Sequence, residues 1–172
     1  MPANIEIKAR ARDFAALERR AAALSDAPCQ TIAQEDVFFH VRRGRLKLRI
    51  PSAGRAQLVY YERPDQAAPK RSDYFIFETE EAATLQTVLA AALGVRGIVR
   101  KTRRLYLVGQ TRIHLDRVEG LGEFVELEVV LRPGQTDADG RAIADDLMAR
   151  LEIRQTDLVH EAYIDLLENA EK

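Results

Sequence analysis

Cysteine is all but missing from this chain of 172 residues: Cys29 stands alone. That excludes an intrachain disulfide and any metal site built from several thiolates. An excess of either charge is missing too. Lys and Arg number 26 against 27 for Asp and Glu, so no global field recruits nucleic acid or an anionic membrane surface, and any basic site is a local concentration. No apolar run approaches the roughly 18 residues of a membrane span, and the N-terminus has no signal-peptide core. Internal repeats, low-complexity tracts and charge blocks long enough for a linker are all lacking. A phosphate-cradling GxxxxGK loop is also lacking. These absences predict a soluble protein of a reducing compartment, expected in the cytoplasm, with no nucleic-acid or membrane partner.

A hydrophobic content of 47% is enough to bury a real core in one domain over residues 1–172. Alternation of apolar and ionic residues predicts a strand at Asn4 to Arg10, followed by a helix from Asp13, its N-cap, to Leu24. Strands are predicted at Gln34 to Val41, Arg45 to Ile50, Gln57 to Arg63 and Asp73 to Glu78. A helix from Glu80 to Leu93 ends at Gly94, with its Leu/Ala stripe read as core packing. Ile98 to Val108, Thr111 to Val118 and Glu123 to Leu131 complete eight strands, joined at Gly109-Gln110 by a tight hairpin. Helices follow at Asp137 to Leu151 and about His160 to Glu168. Hairpin-length connections without a βαβ rhythm predict an α+β fold with an antiparallel sheet.

The ionic strand faces are sorted by sign. Lys8 and Arg10, Lys47 and Arg49, and Lys101 and Arg103 each alternate along one face, and Arg63 closes its strand. The acids form a separate set: Glu6, then Glu126 and Glu128 two apart, with Asp116 on the neighbouring hairpin arm. Taken singly, each pair reads as a solvated strand face, His40, His114 and His160 as structural or exposed, and Cys29 as an inert packed thiol. As a set, like charges crowded on neighbouring strands of a closed barrel require a ligand to relieve them. A polyanion with a divalent cation does so: the carboxylates are hard oxygen ligands for Mg²⁺ or Mn²⁺, and Lys and Arg neutralise phosphates.

The order of these motifs resembles the CYTH superfamily, the triphosphate tunnel metalloenzymes. Asn4-x-Glu6-x-Lys8 is similar to that family's ExExK signature, with Asn in place of the first acid. The similarity continues through Gln34 to Phe39, Leu46 to Arg49, Tyr61-Glu62-Arg63, Lys101-Thr102-Arg103, Thr111 to Asp116 and Gly122 to Glu128. The tail Ala162 to Leu167 resembles the Tyr-x-Asp-Leu ending of the class IV adenylyl cyclase branch. The resemblance implies an antiparallel eight-stranded triphosphate-tunnel β-barrel flanked by helices, one or two Mg²⁺ or Mn²⁺ ions, and often a homodimer. It implies that Glu6, Glu126, Glu128 and Asp116 bind metal, and that Lys8, Arg10, Lys47, Arg49, Arg63, Lys101 and Arg103 grip phosphates. Lys8 would also act on the attacking nucleophile, and Tyr163 and Asp165 would close the tunnel.

Three functions remain open at this stage. A cyclase converts ATP to cyclic AMP and pyrophosphate; a triphosphatase hydrolyses thiamine triphosphate or tripolyphosphate; a non-catalytic module binds a phosphorylated ligand. The tail and the Gln34-x-Asp36-x-Phe38-Phe39 strand tilt the resemblance toward the cyclase-like branch.

Overall fold

The structure, a computed structural model, describes residues 2–171. Eight strands form a closed barrel: β1 (Ala3–Arg10), β2 (Gln30–Phe39), β3 (Arg45–Pro51), β4 (Ala56–Glu62), β5 (Lys70–Thr79), β6 (Val95–Val108), β7 (Thr111–Val118) and β8 (Gly122–Val130). Their order around the barrel is β1-β5-β4-β3-β2-β6-β7-β8, and every neighbouring pair is antiparallel. Four helices lie against it: α1 (Phe14–Leu24), α2 (Ala82–Leu93), α3 (Asp137–Leu151) and α4 (Tyr163–Ala170). Among the described residues, no helix is long and apolar enough to cross a membrane.

The barrel is apolar on its outside and ionic within. Ile7 and Ala9 of β1, Ile113 and Leu115 of β7, and Val125 and Leu127 of β8 face outward, where they form a core with Phe14, Leu17 and Ala21 of α1 and Leu147, Met148 and Leu151 of α3. The other parity of the same strands is thereby forced inward. Local signals set the helix ends. The Asp13 side chain accepts from the Ala16 amide at 2.9 Å, and Thr136 with Asp139 forms a capping box on α3.

Three strands begin at least three residues earlier than their composition predicts, β6 among them, where Val95 pairs with Phe39. The exposed start of β2, Gln30 to Ala33, is held by pairing to Thr102–Leu105 of β6, and Lys70 opens β5 opposite Glu6. These extensions depend on tertiary partners, which local propensity does not carry. The α2 stripe is only a one-sided contact: Ala82, Leu85, Leu89 and Ala90 rest on Val37, Phe39 and Leu48, and no α2 residue is buried. Across from that seam Val88 is exposed, as are Phe75 and Phe77 on β5.

Gly140 sits where α3 crosses β1. A Cβ there would lie 2.5 Å from Ile5 Cγ1 and 2.7 Å from Leu131 Cδ2, and Ile5 is fully buried. An alanine in a helix ordinarily stabilises relative to glycine by about 1 kcal/mol, but overpacking costs about 1–3 kcal/mol. Gly140→Ala is therefore expected to lower stability, read as a smaller denaturant midpoint with an unchanged slope. An increased midpoint would contradict the tight α3–β1 contact.

Candidate functional site

The inward faces enclose a cavity of about 510 Å³, lined by eight basic and four acidic side chains. One end is plugged by the chain entering α4: Ala162, Tyr163 and Ile164 pack with Phe38, Val99, Val118 and Phe124. Beside Gln30 and Arg55, the lining opposite the plug carries an apolar group, Ile32, Pro51, Ile76 and Leu105. Each of these lies six residues along its strand from a residue that meets the plug or the segment around it, namely Phe38, Arg45, Lys70 and Val99. At about 3.3 Å per residue this is about 20 Å along a strand, and with the roughly 40° tilt of barrel strands the charged zone between is about 15 Å deep.

The acidic wall is built from two rows across β7, β8 and β1. In one, His114 faces Glu126, which faces Lys8; in the next, Arg112 faces Glu128, which faces Glu6. Lys8 Nζ lies 3.1 Å from Glu126 Oε1, donates to the Glu161 carbonyl at 3.3 Å, and sits 3.7 Å from the centre of the Tyr163 ring. Arg112 donates to Glu128 at 2.9 Å, and Arg63 to Glu6 at 2.7 Å. His114, Glu126 and Glu128 bring one ligand atom each within 4.8 Å of one another. Two buried atoms beside this cluster, Asn4 Oδ1 and His114 Nδ1, have no hydrogen-bond partner. Hard carboxylates with orphaned polar atoms at their edge fit a divalent cation.

The basic wall gathers around Asp36. Lys47 Nζ lies 2.8 Å from its Oδ2 and Lys101 Nζ 3.8 Å, while Arg49 Nε is 3.6 Å and Gln34 Nε2 3.1 Å from Oδ1. Lys70, fully enclosed at the plug, donates to the carbonyls of Gln66 at 2.9 Å and His160 at 3.2 Å. Lys70 did not stand out in the sequence, and Asp36 did so only within the Gln34 to Phe39 resemblance, with no role of its own. Asp36 shares the inward parity of Gln34 and Phe38, so the signal was a lone acid among inward residues facing a basic strand.

Of the residues singled out by sequence, the structure brings Glu6, Lys8, Lys47, Arg49, Arg63, Lys101, Arg103, Glu126 and Glu128 onto the cavity wall. It separates two. Arg10 lies past the plug: Lys8 already touches Tyr163, and two residues further the guanidinium is exposed, 5.1 Å over the Phe124 ring. Asp116 does not reach the cavity. It is fully buried, with its oxygens taken by Arg103 at 2.7 and 2.6 Å and by the Tyr163 hydroxyl at 2.9 Å. Asp116 thus anchors a cation and the plug in place of joining the acidic cluster. Asp165 works from outside the cavity, accepting from Arg45, Arg96 and the Ala162 amide that begins α4.

Burial pulls Lys8 and Lys47 down to about 8, although Glu126 and Asp36 face them; neighbouring cations add to the fall. Burial lowers Lys70 to about 8 as well, helped by Arg63. The acids diverge. Burial works to raise Glu128, but His114, Arg112 and Arg103 hold it down at about 2. Burial acts upward on Glu126 too, and Lys8, His114 and Arg103 carry it well below the usual range. Glu6 moves up, because burial together with Glu128 and Glu126 outweighs Arg63. Burial and Arg103 lower His114, favouring the neutral imidazole.

The CYTH domain family model matches residues 2–163, and the chain belongs to that family. No curated protein matches it. Among solved structures, the PH1012 protein of Pyrococcus horikoshii superposes with a TM-score of 0.83 at 26% identity, covering 95% of this chain and 98% of that one. A candidate adenylate cyclase of Vibrio parahaemolyticus gives 0.80 at 18% identity, over 96% and 97% of the two chains. HpAC1 of Hippeastrum, a candidate adenylyl cyclase with a dominant triphosphatase activity, gives 0.66 at 16%, over 98% and 96%. At these last two identities the likeness is one of fold.

Three lysines with lowered pKa fix a sign for the pH dependence of ligand-free stability. Between about 8 and the ordinary 10.5 the unfolded chain keeps protons that the folded lysines have lost, so stability rises with pH there. Tyr61 and Tyr163, raised by burial, act oppositely above 10, where the unfolded phenols ionise first. Denaturation followed across this range is expected to show stability climbing from about pH 8 to about 10 and falling beyond. A steady fall from pH 8 upward would contradict the buried-lysine cluster.

Proposed function

We propose that this protein is a divalent-metal-dependent enzyme acting on a nucleoside triphosphate bound along the barrel interior. The observation that carries this reading is the surplus of cations around the cavity. Eight basic side chains face four acids around the cavity, and Lys8 and Lys47 hold their protons poorly even beside carboxylates. A polyphosphate supplies the missing negative charge. The apolar mouth of Ile32, Pro51, Ile76 and Leu105 suits a base and ribose, which a bare tripolyphosphate lacks.

In this reading Lys47, Arg49, Lys101, Arg103 and Arg63 hold phosphate oxygens, with Asp36 and Asp116 fixing the side chains of the basic wall. Glu6, Glu126 and Glu128 would hold the cation. A bound Mg²⁺ or Mn²⁺ supplies Lewis-acid neutralisation of phosphate charge. The protein otherwise contributes positioning and prearranged electrostatics, the main resources in phosphoryl transfer.

The first reaction we assign is that of the cyclase-like branch: the ribose 3′-oxygen attacks the α-phosphorus of ATP, its proton is lost, and pyrophosphate leaves. The tail that resembles that branch builds the floor of the cavity, through Tyr163 on Asp116 and Asp165 at the start of α4. A second reading is favoured by the position of Lys8. It lies against the plug, at the far end from the apolar mouth, beside the terminal phosphate of a nucleotide entering phosphates first. A lysine lowered to about 8 accepts a proton from water there. The water oxygen bonds to the terminal phosphorus as the bridging P–O bond breaks, the nucleoside diphosphate leaves with orthophosphate as the other product, and the protein acts as a triphosphatase.

Purified protein given Mg²⁺ or Mn²⁺ with ATP, tripolyphosphate or thiamine triphosphate, with products separated, tests the assignment. Cyclic AMP with pyrophosphate is expected for the first reaction, orthophosphate for the second. Glu126→Gln and Glu128→Gln are each expected to reduce turnover by about 100-fold or more with the fold preserved by circular dichroism. Tight triphosphate binding without turnover of any substrate would make the protein a binding module and sink the enzyme reading.

A further inference from the structure

The acidic wall contains two neutral polar side chains at positions that face the cavity. Asn4 precedes Glu6 on the inward parity of β1, and His114 stands in register opposite Glu126 on β7. Both are 4% exposed, and both carry a buried atom, Asn4 Oδ1 and His114 Nδ1, with no hydrogen-bond partner. A histidine kept only for packing would be expected to satisfy that nitrogen, since buried polar atoms are rarely left alone.

The separations around His114 explain the orphan differently. Nδ1 lies 3.7 Å from Glu126 Oε2, and Nε2 lies 4.0 Å from Glu128 Oε2. Both are too long for hydrogen bonds. One ring nitrogen and one carboxylate oxygen from each glutamate all lie within 4.8 Å of one another, a spacing that a single divalent ion can bridge.

We propose that His114 is itself a ligand of the tunnel cation, so that the site is a mixed nitrogen–oxygen site that prefers Mn²⁺ and other imidazole-accepting first-row ions to Mg²⁺. The inference rests on the metal-dependent reading above. Its chemical basis is the division of labour among donors: Mg²⁺ demands hard oxygens in a near-ideal octahedron, whereas imidazole nitrogen suits later first-row ions. Asn4 adds a neutral amide oxygen at the next inward position of β1, a donor that brings no charge. Glu126 and Glu128 remain as the charged pair, already shared with Lys8, Arg103 and Arg112.

The test reads the ion directly, without turnover. Mn²⁺ is titrated into the wild-type protein and into His114→Asp, without and with adenylyl imidodiphosphate, and followed by electron paramagnetic resonance with spin-echo detection of nitrogen. Wild type is expected to show imidazole ¹⁴N modulation, changed in pattern when the protein is grown with ¹⁵N-histidine, a comparison that needs no variant. His114→Asp is expected to lose the modulation and to lower the ratio of Mn²⁺ to Mg²⁺ affinity by about 10-fold or more, measured by competition. Bound Mn²⁺ with no nitrogen signal in the labelled and unlabelled wild type would overturn the inference and leave the metal-dependent reading standing. No Mn²⁺ binding under either condition would overturn both.

Discussion

Everything in this molecule follows from turning a β-barrel inside out with respect to polarity. The apolar parity of the strands faces outward, where α1 and α3 bury it, and Ile7, Leu127 and Leu147 belong to a core that lies beside the barrel and not within it. The ionic parity has nowhere to go but inward. Water cannot fully solvate side chains such as Lys101 and Arg103, both at most 6% exposed, so each must find a charge partner in the protein or in a ligand. Internal partners cover only part of the demand. The residue of that demand is the binding energy available to a polyanion, held ready in a closed sheet whose geometry the external core makes stiff.

The few internal acids are spaced to divide the cations into groups. Asp36 gathers Lys47, Arg49 and Lys101; Asp116 fixes Arg103 and Tyr163; Glu6 holds Arg63. Each acid therefore sets the direction of a basic side chain before any ligand arrives, which reduces the ordering cost of binding. Tyr163 couples this arrangement to the closing of the barrel: its hydroxyl meets Asp116 while its ring lies under Lys8. The plug and the charged wall are one structure, so the C-terminal segment is part of the site.

Much of this was legible in the sequence because a strand has only two faces. Once Ile5, Ile7 and Ala9 are assigned to a core, Glu6 and Lys8 are assigned to the opposite side, and the same parity places Lys47, Arg49, Glu126 and Glu128. Parity says nothing about depth, and that is where reading along the chain stops. Arg10 has the parity of Lys8 but lies beyond the plug, and Asp116 has the parity of His114 but lies beneath Arg103. The converse failures have the same origin. Asp36 gains its importance from strands β3 and β6, Lys70 from the segment leading into α4, and neither relation exists until the barrel closes.

His114 shows how closure can change the meaning of a residue. On its own strand it alternates with Arg112 and Asp116 and reads as a structural histidine. Beside β8 it stands opposite Glu126 and within reach of Glu128, while burial and Arg103 keep its ring neutral. A neutral ring leaves a lone pair available in the midst of carboxylates, and it adds no positive charge to a wall already crowded with arginines. A carboxylate at that position would strengthen attraction for any divalent ion, hard or soft alike. Under the proposed ligation, an imidazole there trades that general attraction for discrimination among divalent ions. The exchange is confined to the acidic wall, and the basic side chains gathered around Asp36 take no part in it.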